Sequence, residues 1–192
     1  MSRQAADGLI FVFTGTSGSG RKTIARQIAG ELGFSSVVSY TTRTPRPKEM
    51  EGRDYNFISR KAFIDADIAG EFFQTAEIDG NFYGTKKADI EAALREKGLI
   101  YVIVNRYAAN KFKYEFGDRA IRLFIYANKQ TIMERLLARS TPMDVIDHYM
   151  NHYIEEVSYR KQCEHVFENM DLQDTINKVK TAMLSHIPTT TS

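Results

Sequence analysis

The sequence is nearly without cysteine: Cys163 is the single one in 192 residues. No disulfide can close within the chain, which fits a reducing compartment. A charge excess is missing too. The formal net charge is +2 at pH 7, too close to neutral for a surface that holds nucleic acid or an anionic membrane. Long apolar runs are absent: the longest, residues 9–13 and 99–104, fall far short of the roughly 20 residues of a membrane-spanning helix. Residues 1–8 are mixed polar and carry an acid, unlike a secretory leader. No repeat or low-complexity linker interrupts the chain, and the tail 188–192 is small and polar, so it is expected to fray. What remains is a soluble cytoplasmic protein of one domain, since domains typically run roughly 100–200 residues.

What is present is an alternation of short apolar runs with amphipathic stretches, the pattern of a parallel sheet flanked by helices. Residues 9–13 read as a buried strand. A glycine-rich loop follows, then a helix with Ile24, Ile28 and Leu32 on one face and Gly33 as its stop. Residues 37–40 read as a second strand. From 41 to 85 turn signals and aromatics crowd together, which predicts a small β-rich insertion. Beyond it the pattern predicts a helix over 87–94, strands over 99–104 and 121–126, and a helix from 131 to 139 ending near Pro142. A long helix over 144–163, a strand over 165–168 and a helix over 172–184 complete the chain.

Gly15-Thr16-Ser17-Gly18-Ser19-Gly20-Arg21-Lys22-Thr23 lies between a predicted strand and a predicted helix. That is where a G-x-x-x-x-G-K-[ST] pattern acquires meaning. Its inward backbone N–H groups and the helix start favour phosphate oxygens; a glycine-rich turn without a ligand is the plain alternative. The glycines are spaced correctly, but Arg21 stands where the motif has lysine. Lys22 stands where it has a hydroxyl for magnesium, so Lys22 and Thr23 look like the usual pair displaced by one position. One position turns a side chain about 100° around a helix.

Residues 39–57, with Ser39, Arg43, Arg46, Glu49, Gly52, Asp54, Tyr55 and Phe57, strongly resemble the GMP-binding segment of guanylate kinases. Gly80-Asn81-Phe82-Tyr83-Gly84-Thr85 does so as well. With the order of the loop, the resemblance covers nearly the whole chain. It implies a P-loop NTPase-type α/β fold: a parallel sheet flanked by helices (about 8–36, 87–134 and 160–187), a β-rich GMP-binding insertion (about 37–86) and a short helical lid (about 135–159). It also implies that Arg43, Arg46, Tyr55 and Tyr83 hold the GMP phosphate, and that Ser39, Gln74 and Thr85 face guanine. Glu49 orients the segment. Guanidinium forks suit a phosphate monoester and tyrosines can donate to it; judged alone, Arg43 and Arg46 would read as a solvated basic turn.

The resemblance further implies ATP and magnesium, with Thr23 a candidate hydroxyl ligand for the ion and no other metal ligand assigned. Arg21, Lys22, Arg135 and Arg139 are then the cations around the transferred phosphoryl group. Asn169 matches the family asparagine near adenine, or else serves as a cap or turn residue. The departures cluster on the ATP side. The acids expected after the strand 99–104 are replaced by Asn105-Arg106, and a later lid arginine falls at Tyr149. On the guanine side the usual glutamate is Gln74, which offers one acceptor and one donor group, so altered base selectivity is expected.

Three function classes follow. One is a GMP kinase with reduced turnover, another a binding or protein-interaction module that kept the GMP site, and the third a kinase for another nucleotide. His148 and His152 have a metal-compatible i, i+4 spacing; with no third ligand evident in the sequence nearby, the pair reads as a polar helix face. Cys163 reads as a half-buried, unactivated thiol.

Overall fold

The computed structural model describes residues 8–188; the residues before Gly8 and most of the tail expected to fray lie outside the described residues. The chain runs β1 (Leu9–Gly15), α1 (Arg21–Leu32), β2 (Ser35–Val37), β3 (Tyr40–Thr41), β4 (Asn56–Phe57), α2 (Arg60–Ile68), β5 (Phe72–Ile78) and β6 (Asn81–Lys86). It continues α3 (Lys87–Lys97), β7 (Leu99–Ile103), α4 (Arg106–Phe116), β8 (Ala120–Tyr126), α5 (Lys129–Ala138), α6 (Met143–Ser158), β9 (His165–Glu168) and α7 (Leu172–Ser185).

The core sheet has the order β2-β7-β1-β8-β9, and every pair in it is parallel. β1 is central, and Ile10, Phe11, Val12 and Phe13 are fully buried, because helices cover both faces. Ile10 and Val12 pack with Ile90 and Leu94 of α3 and Phe112 of α4. Phe11 and Phe13 turn the other way, to Ile24 and Ile28 of α1 and Ile176 and Val179 of α7. At roughly 1.5–3 kcal/mol per fully buried large apolar side chain, these layers are the main source of stability. The chain passes from β1 to one side (β2, β7) and then to the other (β8, β9). Such a reversal leaves a crevice beyond the carboxyl end of the central strand.

The second sheet, β4-β3-β6-β5, is mixed: β3 and β5 run antiparallel to β6, and β3 runs parallel to β4. β5 and β6 form a hairpin whose turn residues, Asp79 and Gly80, have φ of 52° and 70°, the left-handed pair of a tight hairpin turn. This sheet has its own small core. Phe63 of α2 is buried between Phe72, at 4.3 Å between ring centroids, and Phe82, at 5.4 Å.

Four expectations are corrected. The strand expected over 37–40 is divided: Val37 ends β2, paired with β7, while Tyr40 begins β3, paired with β6. A run this short carries no signal of where one sheet stops and another begins. The insertion is not only β: it holds α2, whose N-cap Ser59 accepts a hydrogen bond from the Ala62 N–H. α4 was not anticipated; Asn105 caps it by accepting from the Ala108 N–H at 3.0 Å. The helix expected to reach 163 ends at Ser158 and tightens into a 3₁₀ turn, Tyr159–Gln162. Tyr159 is buried there, its hydroxyl 2.8 Å from Asn110 Oδ1 and 3.1 Å from Arg122 Nη1.

Arg122, buried on β8, is held by Glu164, with Nη2 3.0 Å from Oε1 and Nε 3.1 Å from Oε2. Burial opposes ionisation of Glu164, but Arg122 outweighs it and brings the carboxyl down to about 2. Burial pushes the neighbouring Cys163 thiol up to about 12, so it is unreactive as expected. α5 and α6 pack on each other around Ile132, Leu136 and Ile146. Among the described residues, no helix is long and apolar enough to cross a membrane.

Candidate functional site

A cleft of about 870 Å³ opens beyond the carboxyl ends of β1 and β7. The loop after β1 forms its floor, the second sheet one wall, and α6 with the start of α4 another. All eight residues expected to hold GMP line it: Ser39, Arg43, Arg46, Glu49, Tyr55, Gln74, Tyr83 and Thr85. So do Gly15, Ser17 to Thr23, and Arg139. Thr16 is buried beneath the loop.

The loop is shaped by close approach. A Cβ at Gly15, whose φ is 142°, would lie 1.8 Å from the Ile125 carbonyl oxygen. One at Gly20, whose φ is 91°, would meet Asn169 Nδ2 at 2.7 Å. Glycine is required at both. Asn169 is 2% exposed, and its Nδ2 donates to the Ser19 carbonyl at 2.7 Å. Arg135 donates to the carbonyls of Asn169, at 2.8 Å, and Met170, at 3.2 Å. Thus Asn169 and Arg135 buttress the loop from behind; neither lines the cleft. Arg139 does, and no carboxylate pairs with it among the described residues.

The two cations after the loop diverge. Arg21 Nη1 donates to the carbonyls of Gly15, at 2.9 Å, and Val104, at 3.3 Å, so it clasps the loop to the end of β7. Lys22 crosses to the insertion: Nζ lies 3.4 Å from both Glu49 Oε1 and Asp54 Oδ1, and 4.5 Å from the centre of the Tyr55 ring. Burial lowers the Lys22 pKa, outweighing both acids. Thr23 is exposed in the first turn of α1. The loop meanwhile holds an anion of the protein's own. Ser17 donates its backbone N–H to Glu156 Oε2 at 2.7 Å and its hydroxyl to Glu156 Oε1 at 2.9 Å.

On the insertion wall the charges interlock. Arg43 Nη2 donates to both Glu49 oxygens, at 3.1 and 2.9 Å, and the Arg46 backbone N–H donates to Glu49 Oε2 at 2.8 Å. Burial works against the Glu49 charge, but these donors prevail and hold its carboxyl below the ordinary range. The guanidinium of Arg46 reaches α6, where it bonds the Tyr149 hydroxyl and lies over its ring. The Tyr55 and Tyr83 rings meet edge to face at 5.8 Å, and burial raises the Tyr55 pKa. At the far end the Ser39 and Thr85 hydroxyls are 3.0 Å apart, and Gln74 sits beside Thr85 in the sheet register.

Six buried side-chain atoms among the described residues have no hydrogen-bond partner in the protein: Thr14 Oγ1, Thr16 Oγ1, Ser19 Oγ, Arg43 Nε, Gln74 Nε2 and Asn169 Oδ1. All belong to the end of β1, the loop, its buttress or the insertion wall. A buried polar group left unbonded costs roughly 1–3 kcal/mol, so this grouping fits a polar ligand lying from the loop to Gln74. The end of β7 does not fit a magnesium ion, which takes oxygen donors. Asn105 Oδ1 is used in the α4 cap, and Arg106 is a cation paired with Glu155.

Residues 8–186 match the guanylate kinase family model. The chain belongs to the guanylate kinase family. It is 32% identical to the guanylate kinase of Wolinella succinogenes over 90% of this chain and 81% of that one. It is 33% identical to that of Cereibacter sphaeroides over 88% and 82%. In fold it resembles the crystal structure of guanylate kinase from Anaplasma phagocytophilum, with a TM-score of 0.77 and 24% identity over 96% of this chain and 89% of that one.

Within this guanylate kinase cleft, sequence reasoning missed Glu156 on the loop, Asp54 beside Lys22, and Asp79 beside His148. Glu156 follows Glu155 in a helix, and an acidic pair there reads as a solvated face. Only the packing of α6 against the loop reveals its target.

Proposed function

We propose that this protein binds GMP in the insertion pocket and transfers to it the terminal phosphoryl group of ATP held at the loop, giving GDP and ADP, at a reduced rate. The observation that carries this reading is the set of unbonded buried atoms running from Thr14 and Ser19 to Arg43 and Gln74, all residues lining one cleft.

In this reading Arg43, Arg46, Tyr55 and Tyr83 hold the GMP phosphate, and Glu49 keeps Arg43 aimed. Ser39, Thr85 and Gln74 meet the base. The loop N–H groups hold the ATP phosphates once Glu156 withdraws. A GMP phosphate oxygen then bonds to the terminal phosphorus of ATP as the bridge to ADP breaks. Phosphoryl transfer depends on position and on charge neutralisation. Of the four expected cations, Arg139 and Lys22 line the cleft without being tied to loop carbonyls, while Arg21 serves the loop's shape. Magnesium accompanies ATP in this family, and Thr23, which lines the cleft in the first turn of α1, is one hydroxyl that would meet it. No acid stands at the end of β7, and this supports a slower reaction, because one lost preorganised contact can cost roughly 10²–10³ in rate.

A second reading is a GMP-binding module without turnover, favoured by Glu156 on the Ser17 N–H and by Arg21 folded onto carbonyls. A coupled assay of ADP formation with ATP, magnesium and saturating GMP separates the two. GMP-dependent turnover that Arg43→Ala abolishes supports the kinase. Calorimetric GMP binding without turnover supports the module, and equal affinity for GMP, AMP and UMP sinks both.

A further inference from the structure

The sequence offers His148 and His152 one turn apart, and the fold brings them a third ligand. Their rings lie 4.6 Å apart between centroids on the cleft side of α6. Across the cleft, the β5–β6 turn presents Asp79: Oδ2 is 2.9 Å from His148 Nε2, and Oδ1 is 3.5 Å from His152 Nε2. One ligand atom from each residue can be chosen so that all lie within 4.8 Å of one another. Zinc bonds of about 2.0–2.2 Å place the corners of a tetrahedron about 3.3–3.6 Å apart, so small side-chain adjustments bring these atoms to bonding positions. Beyond the three, the Glu155 carboxylate lies 4.0 Å from His152 Nδ1.

We propose that Asp79, His148 and His152 form a binding site for a divalent transition ion of the zinc type, which ties α6 to the insertion hairpin. Two imidazoles and a carboxylate suit zinc, cobalt or nickel; magnesium prefers an all-oxygen shell. The site is therefore chemically separate from any ion that travels with ATP. Three protein ligands leave a tetrahedral ion one position for water or a nucleotide oxygen. Its ligands come from opposite walls of the cleft, so the bound ion fixes the spacing between them. Resting on the kinase reading, the ion then slows exchange of nucleotides by holding the walls together; binding itself does not depend on that reading.

The test uses the full chain freed of metal with a chelator and titrated with Co²⁺ at neutral pH, followed by visible absorption. Tetrahedral cobalt bands should saturate at one equivalent, disappear on adding Zn²⁺, and be lost in both His148→Ala and His152→Ala. Losing outer-shell partners alone weakens metal sites about 10–100-fold, so Asp79→Asn should weaken binding at least that much. The other histidine pair, His165 and His186, 2.8 Å apart, supplies the control: His186→Gln should leave the bands intact. No bands in the unaltered protein would overturn the site. So would bands that survive His148→Ala or vanish in His186→Gln, and full affinity in Asp79→Asn would overturn the bridge across the cleft.

Discussion

On the insertion wall the charged side chains converge, and on the loop wall they part. Arg43, the Arg46 backbone and Lys22 all meet the single carboxylate of Glu49. Arg21 and Lys22, adjacent in sequence, go to opposite partners: the carbonyls of Gly15 and Val104, and the acids Glu49 and Asp54. The lesson is geometric. A turn motif such as 43–49 folds back on itself, so its members stay together. A motif that opens a helix fans out at about 100° per residue, so displacing lysine by one position redirects it to another wall. Keeping the composition of a phosphate loop does not keep its aim.

The comparison can be broken from the insertion side first. Phe63→Ala removes the ring between Phe72 and Phe82 and should cost about 3–5 kcal/mol. Because those contacts lie in the second sheet, GMP affinity should fall before the core sheet melts; hydrogen exchange that loosened both sheets equally would show that the insertion has no core of its own. Arg43→Ala, which leaves Glu49 without its guanidinium, should lower kcat/KM for GMP about 10²–10³-fold with little change in KM for ATP. An equal loss for both substrates would mean the walls are not independent. Gln74→Glu supplies two acceptors in place of one and should raise the preference for GMP over AMP about 10–100-fold, read from competition binding.

The loop side should respond more gently. A charged acceptor bonds about twice as strongly as a neutral one, so Glu156→Gln should loosen α6 from Ser17 and raise ATP affinity about fivefold. A drop in affinity would instead make Glu156 part of the ATP site. A separate effect concerns pH and the core sheet behind both walls. Glu164 is lowered from 4.5 to about 2, so its contribution with Arg122 is present above about pH 4.5 and is lost as pH falls through about 2. Denaturant midpoints should fall across that range, and Glu164→Gln should flatten the slope.

Much of this was legible in the residues. The buried strand β1, the loop glycines and the parallel sheet follow from an apolar run, a glycine spacing between strand and helix, and alternation. The insertion pocket was legible because its residues occur in one continuous segment, 39–57, and one short one, 80–85. Less was visible where partners come from afar. Nothing near Asn169 announces that it carries the Ser19 carbonyl, 150 residues earlier. Nothing near Arg135 says that it faces that turn rather than a phosphate.

By itself the sequence determined the family, the parallel sheet flanked by helices, and which residues gather on the insertion wall. These depend on local periodicity and contiguous motifs, which act over one turn or one strand. Only the tertiary structure decided that Lys22 leaves the loop, that Glu156 occupies it, and that Asp79 completes a histidine pair. Each of these depends on a side chain meeting a partner from another element, and a helix face can be aimed only once the sheets beneath it are in place.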